Sequence, residues 1–209
     1  MKCVPIAAIT IFGLFACSTG TSTNKMSQEN NAARPAYAFA IHGGAGTIRK
    51  TDMTPEQEAQ YLKALNAALD IGENVLKNGG SALEAVEKVI VFLEDNPLFN
   101  AGKGAVFTNA GTHELDASVM DGSSQKAGAV GGVTNIKNPI RAALAVMNKS
   151  PHVMMAGDGA EKFAIEQGLD TVPNSYFSTQ SRRRALEKIQ AEERTKTELI
   201  LEKTDSKFG

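Results

Sequence analysis

The stretch LEDNPLFNAGKGAVFTNAGTHELDASVMDG, residues 93–122, decides how this chain is read. A helix runs into it from the N-terminal side. A tight loop follows through Asn96-Pro97 and the small residues Ala101, Gly102 and Gly104. An extended, partly apolar segment then carries Asp116 and Asp121. Glycine at this density lets the backbone fold back without Cβ clashes, so that carbonyls and amides gather around a ligand or ion. One side chain in the loop, Asn100, can both donate and accept hydrogen bonds.

Upstream, Tyr37-Ala38-Phe39-Ala40-Ile41 alternates and reads as a first strand, entering His42-Gly43-Gly44-Ala45-Gly46-Thr47. Thr54-Pro55-Glu56-Gln57 opens a helix with a capping box, with Leu62, Leu65, Leu69 and Leu76 as its buried stripe and Gly79-Gly80 as its end. Ser81-Ala82-Leu83-Glu84 is a second capping box, followed by Leu83, Val86, Ile90 and Leu93 at helical spacing. Downstream, Glu114 to Asp121 and Ala127 to Thr134 read as strands joined by the turn Asp121-Gly122-Ser123-Ser124. Asn138-Pro139 starts a third helix, and Asp158-Gly159-Ala160-Glu161 caps a fourth, which Gly168 closes. The order is α and β mixed without a regular βαβ repeat, an α+β class. Three strands among four helices leave a sheet short of cover, so the chain reads as incomplete.

The ends read differently from the middle. Lys2 followed by the apolar run Val4 to Ala16 is a leader too short to span a bilayer comfortably. Its close, Leu14-Phe15-Ala16-Cys17, resembles a bacterial lipoprotein signal that leaves Cys17 lipidated; a plain secretory signal with an incidental cysteine is the alternative. Residues 1–16 are thus a signal, 17–35 a polar tether, 36–177 the globular part, and 178–209 a mobile, charged, partly helical tail. Arg182-Arg183-Arg184 within that tail reads as a solvated helix face, because Glu187, Glu192 and Glu193 soon follow. A net charge of −1 gives no electrostatic case for nucleic acid. Cys3 and Cys17 are the only cysteines, which excludes a disulfide, a thiolate metal site or a cysteine nucleophile beyond residue 17.

Motif by motif, most chemistry is excluded. Gly43-Gly44-Ala45-Gly46 fails the dinucleotide fingerprint because position 49 is Arg, and Gly102-Lys103-Gly104 fails because position 107 is Phe and Gly follows Lys103. His42, His113 and His152 show no metal-ligand spacing and read as structural histidines. Asp116 and Asp121, five apart on an extended strand, point to opposite faces and tie down turns and backbone amides rather than form an acid/base dyad. There is no Gly-x-Ser-x-Gly elbow. The residues alone therefore describe an exported α+β piece without a complete catalytic set.

A resemblance supplies the missing set. His42-Gly43-Gly44-Ala45-Gly46, Gly79-Gly80-Ser81-Ala82, Asn96-Pro97-Leu98-Phe99-Asn100-Ala101-Gly102-Lys103-Gly104 and Glu114-Leu115-Asp116-Ala117-Ser118-Val119-Met120-Asp121-Gly122 occur in telling order. Together they resemble the isoaspartyl peptidase/L-asparaginase family, the plant-type asparaginases among the N-terminal-nucleophile hydrolases. Ala127-Gly128-Ala129-Val130, Asn138-Pro139-Ile140 and Thr204 to Gly209 continue the match, which covers residues 37–209.

The resemblance implies a precursor that cleaves itself before a threonine, whose α-amine then serves as its own base. That bond usually joins Gly to Thr, so Gly209 would be the cleavage site and this chain the α-subunit of a four-layer αββα sandwich. The implied partner is a β-subunit from the same precursor, assembled as a dimer of αβ heterodimers, with β-aspartyl dipeptides and L-asparagine as substrates and no organic cofactor. Asn100 and the Gly43-Gly44 loop, Gly44 in particular, would border the active site. Carbonyls at Leu93, Glu94, Asn96, Phe99, Ala101 and Lys103 would hold a structural sodium ion. Many members carry another residue at the position of Asn96, a change that a carbonyl ligand tolerates. The expected place is the bacterial envelope, on the periplasmic face, anchored through Cys17. A glycosylasparaginase- or taspase-like relative, or a non-catalytic lipid-anchored binding domain, are the alternatives.

Overall fold

Thr54 sets the first helix, α1 (Pro55–Lys77): its hydroxyl accepts from the Gln57 N–H at 3.3 Å, and the Gln57 side chain accepts from the Thr54 N–H at 2.9 Å. The computed structural model describes residues 36–44, 51 and 53–205, with side chains described as far as 198. The leader, the tether with Cys17, the segment 45–50 and Gly209 lie outside the described residues. Among the described residues no helix is long and apolar enough to cross a membrane.

Helix α1 turns at Gly79 (φ 79°) into α2 (Ala82–Glu94). The expected capping box at Ser81 is only half made. Ser81 Oγ accepts from the Glu84 N–H, whereas the Glu84 carboxylate pairs with Lys88 at 2.8 Å. The expected leucine stripe is also displaced. Ala64, Ala68 and Gly72, four apart, form the buried row of α1, while Leu62 is 53% exposed. Small side chains allow α1 to lie close to α2, around a cluster of Ala64, Ala68, Val89, Leu93 and Phe99.

The segment 37–44 departs from its reading as a strand. Tyr37, Phe39 and Ile41 are half-buried and alternate with exposed Ala38 and Ala40, but the segment has no ladder partner among the described residues. It is extended because its alternate side chains lie on the helix pair, with Phe39 against Gly72 and Gly43 against Leu65.

The sheet is as read for its first two strands. β1 (Leu115–Met120) pairs antiparallel with β2 (Ala127–Val133), in a register that places Val119 opposite Gly128 and slips between Leu115 and Ala117. A third strand that the sequence did not betray, β3 (Met154–Ala156), adds in parallel to β2. Helices α3 (Pro139–Lys149) and α4 (Gly157–Glu166) cover one face. Leu115, Val130, Val133, Ala142, Val146, Ala160 and Ala164 form the core between. Gly128 permits the contact, since a Cβ there would stand 2.6 Å from the Met147 backbone nitrogen. Helix α4 has no side-chain cap, and Asp158 sits within its first turn instead. The other face of the sheet, with Met120 62% and Met154 60% exposed, has no covering layer among the described residues.

A short 3-10 turn (Asn174–Phe177) leads to α5 (Gln180–Asp205), so the charged tail is helical through most of its length. Its first half is bonded to the body, with Gln190 Nε2 donating to the Asn109 carbonyl at 3.0 Å.

Candidate active site

The loop after α2 is closed by its own backbone. The Lys103 N–H donates to the Glu94 carbonyl at 2.7 Å, and the Phe99 N–H to the Asn96 carbonyl at 3.3 Å. Gly104 (φ 110°) lies so close to this turn that a Cβ would stand 2.5 Å from the Pro97 carbonyl oxygen and 2.8 Å from that of Phe99. Only glycine combines that backbone angle with that approach. The Asn96 side chain turns the chain by accepting from the Leu98 N–H at 3.1 Å.

From outside, the loop is gripped by the segment leading into α5 and by the first turn of that helix. The Gly104 N–H donates to the Phe177 carbonyl at 2.9 Å, and Arg182 Nε donates to the Gly104 carbonyl at 2.8 Å. Lys103 lies over the Tyr176 ring at 5.6 Å. Arg182 thus departs from the solvated face expected of the arginine run, whereas Arg183 rests on the Phe107 ring at 4.9 Å.

Asn100 is exposed at the edge of a cavity of about 280 Å³ lined also by Ala101, Val106, Glu114 and Asp116. Its Oδ1 accepts from the Val106 N–H at 2.8 Å, so its amide nitrogen is left as a donor without a partner among the described residues. A volume near the small end of ligand sites suits one amino-acid-sized group. Asp116 Oδ1 accepts from the Gly132 N–H at 2.8 Å and Asp121 holds the turn through Ser123 and Ser124, so both aspartates serve backbone as read.

Glu94 lies beneath the loop, 3% exposed. Its Oε1 accepts from the Ile140 N–H at 3.0 Å, whereas Oε2 is buried with no partner among the described residues. Burial pushes the carboxyl up to about 7, against the bonds from Ile140 and Asn138 that favour the charged form. Glu94 thereby caps α3 from another element, while the local Asn138 makes no cap bond and donates to Asp95 Oδ1 at 3.2 Å. No spacing rule signals a cap delivered from 46 residues away.

His113 is fully buried with both ring nitrogens bonded, as the structural reading expects. Gly44 (φ 116°) donates to His42 Nδ1 at 3.2 Å, and His152 is exposed. No hydrogen bond joins Gly44 to Asn100, but their segments share one support: Phe39 and Ile41 pack on the same cluster as Phe99. Among the described residues no group of three or more His, Cys, Asp or Glu side chains is placed to hold a metal.

The comparisons with known proteins converge. A family model described as asparaginase matches residues 35–207. The chain is 53% identical over 144 residues to an isoaspartyl peptidase of Escherichia coli K12, covering 69% of this chain and 45% of that protein. It is 49% identical over 144 residues to a putative isoaspartyl peptidase/L-asparaginase of Dictyostelium discoideum, covering 69% and 42%. It is 45% identical over 152 residues to a plant-type L-asparaginase of Pyrococcus abyssi, covering 73% and 47%. The chain spans about half the length of the curated relatives it matches.

Proposed function

Because this chain belongs to the isoaspartyl peptidase/L-asparaginase family, we propose that it is the α-subunit portion of a threonine hydrolase that acts on β-aspartyl dipeptides and the side-chain amide of L-asparagine. The observation that carries the reading is Asn100, held by its carboxamide oxygen at a cavity of about 280 Å³ with its amide nitrogen unpaired among the described residues. The nucleophile is a threonine released by self-cleavage directly after Gly209. Its hydroxyl oxygen attacks the β-carbonyl carbon of the substrate, and its proton passes to the threonine α-amine, which titrates near 8 in reference peptides and needs no histidine. The C–N bond breaks, the leaving amine takes that proton, and water then hydrolyses the ester. Asn100 offers its N–H₂ to the nucleophile or substrate, and the Gly43-Gly44 backbone borders them.

The partner is a β-subunit from the same precursor, in a dimer of αβ heterodimers. Its strands complete an αββα sandwich. Support comes from the sheet face that has no cover among the described residues and from the extended segment 37–44, which has no ladder partner among them, since unpaired extended backbone calls for pairing. The loop suits a sodium ion, because its glycines bring carbonyl oxygens together and a hard cation prefers oxygen ligands. Leu93, Glu94, Asn96, Phe99, Ala101 and Lys103 would hold it through those carbonyls, where it stiffens the loop. Cys17 carries a lipid that anchors the protein at the periplasmic face of the envelope.

The test is made on the full-length gene product. Mass spectrometry should show a new N-terminal threonine after Gly209, and the cleaved protein should release aspartate from a β-aspartyl dipeptide. Full hydrolysis by an Asn100→Ala variant would remove Asn100 from the site. Replacing sodium by a bulky organic cation should lower thermal stability; an unchanged melting temperature would overturn the ion.

A further inference from the structure

Val106 holds the Asn100 oxygen, yet little packing holds Val106, whose residue is 50% exposed. Its second peptide group is pinned by His113: the Val106 carbonyl lies 3.1 Å from Nδ1. A carbonyl can only accept, so Nδ1 carries the proton and Nε2 is the bare nitrogen. Nε2 lies 3.0 Å from Ser178 Oγ, whose O–H therefore donates to it. Burial depresses the imidazole below its ordinary range, in keeping with a neutral ring.

The backbone of His113 is held from outside the loop. Asn174 Oδ1 accepts from the His113 N–H at 2.9 Å, and Asn174 Nδ2 donates to the carbonyls of His113 and Thr134, each at 2.8 Å. The Phe107 ring lies against the imidazole with centroids 4.1 Å apart, and Phe177 meets it edge-on at 6.1 Å. With its backbone tied to Asn174, the buried ring is placed to set the exposed Val106 peptide.

We propose that His113 is a positioning residue for Asn100: oriented by Ser178, it pins the peptide group after Val106 while the N–H before it holds the Asn100 carboxamide. The inference rests on Asn100 belonging to the active site. It assigns the buried histidine and the serine ahead of α5 to the alignment of that site. The segment leading to the proposed cleavage point and the catalytic loop are then joined through one imidazole.

The experiment uses full-length protein and substitutions that separate the two ring nitrogens. His113→Asn keeps a donor at the reach of Nδ1, His113→Gln keeps one at the reach of Nε2, and His113→Phe keeps ring volume alone. The expected result is kcat within about 3-fold of the parent for His113→Asn, against a fall of about 10-fold or more for His113→Gln and His113→Phe, since small misplacements near the chemistry are costly. Ser178→Ala should move the same kinetic constant by less. Asn100→Ala combined with His113→Phe should be no slower than Asn100→Ala alone, because the two act as a unit.

The idea is overturned if His113→Asn is no better than His113→Gln, or if the double variant loses the product of both effects. A fully active His113→Phe beside an inactive Asn100→Ala overturns this inference alone, whereas a fully active Asn100→Ala overturns the active-site reading with it. Nitrogen NMR of the parent protein gives a readout that does not need the variants to fold. Nδ1 should be protonated and Nε2 bare between neutral pH and about pH 8. The opposite tautomer, or an imidazolium in that range, contradicts the proposal.

Discussion

Gly72→Ala tests how the His42-Gly43-Gly44 segment is supported. Gly72 lies inside α1 on the buried row with Ala64 and Ala68, and an added Cβ would stand 2.5 Å from Phe39 Cζ. Ordinary carbon contacts lie near 3.5–4.0 Å, so the ring would have to retreat by about 1 Å. Two effects oppose. Alanine in a helix interior is favoured over glycine by about 1 kcal/mol. Overpacking of a seated side chain costs about 1–3 kcal/mol, taken here as about 2. The packing term wins, and Gly72→Ala should destabilise the protein by about 1 kcal/mol. With Phe39→Ala beneath it the clash is absent, and the same change should stabilise by about 1 kcal/mol, a coupling of about 2 kcal/mol. Urea unfolding of the parent, both single variants and the double variant measures each corner of the cycle. A stabilising Gly72→Ala with Phe39 intact would refute the reasoning, because the ring would then not lie on Gly72. If the segment borders the active site as proposed, the destabilising single variant should also lose activity.

Glu94→Ala orphans the buried Ile140 N–H, and leaving that donor unsatisfied should cost about 2 kcal/mol in urea unfolding; a change below about 0.5 would remove Glu94 as the cap of α3. Gly128→Ala should destabilise by about 3 kcal/mol, because its Cβ would meet backbone of α3 at the Ala143 carbonyl and the Met147 nitrogen, neither of which can swing away. Bonds from Ser124 first, then Ser123, lower the Asp121 carboxyl from 3.8 to about 2. The folded value lies below the unfolded one, so its contribution is present above pH 3.8 and is lost as pH falls through about 2. Carbon NMR should place this titration near 2, and Asp121→Asn should flatten the acid limb of stability.

Local signals carried the elements well. The Thr54 box, the Gly79 stop, the two strands around Asp121 and the Pro139 start of α3 all stand where short-range chemistry places them. These features depend on neighbours within about four residues, which a sequence displays directly. Periodicity misplaced the buried face of α1, because leucine outranks alanine in hydrophobicity, while a close helix pair selects for small volume. It also presented residues 37–41 as a strand, since burying alternate side chains on helices leaves the same pattern as burying them in a sheet.

The family, the helices and the pairing of β1 with β2 were thus legible in the sequence, because they reside in residue type and short spacing. Only the tertiary structure decided what those residues lean on. Glu94 reaches α3, Arg182 reaches Gly104, and His113 stands between Val106 and Ser178. A hydrogen bond requires atoms to meet about 3 Å apart in space. Partners separated by tens of residues leave no periodic mark, and only the packing of the whole chain brings them together.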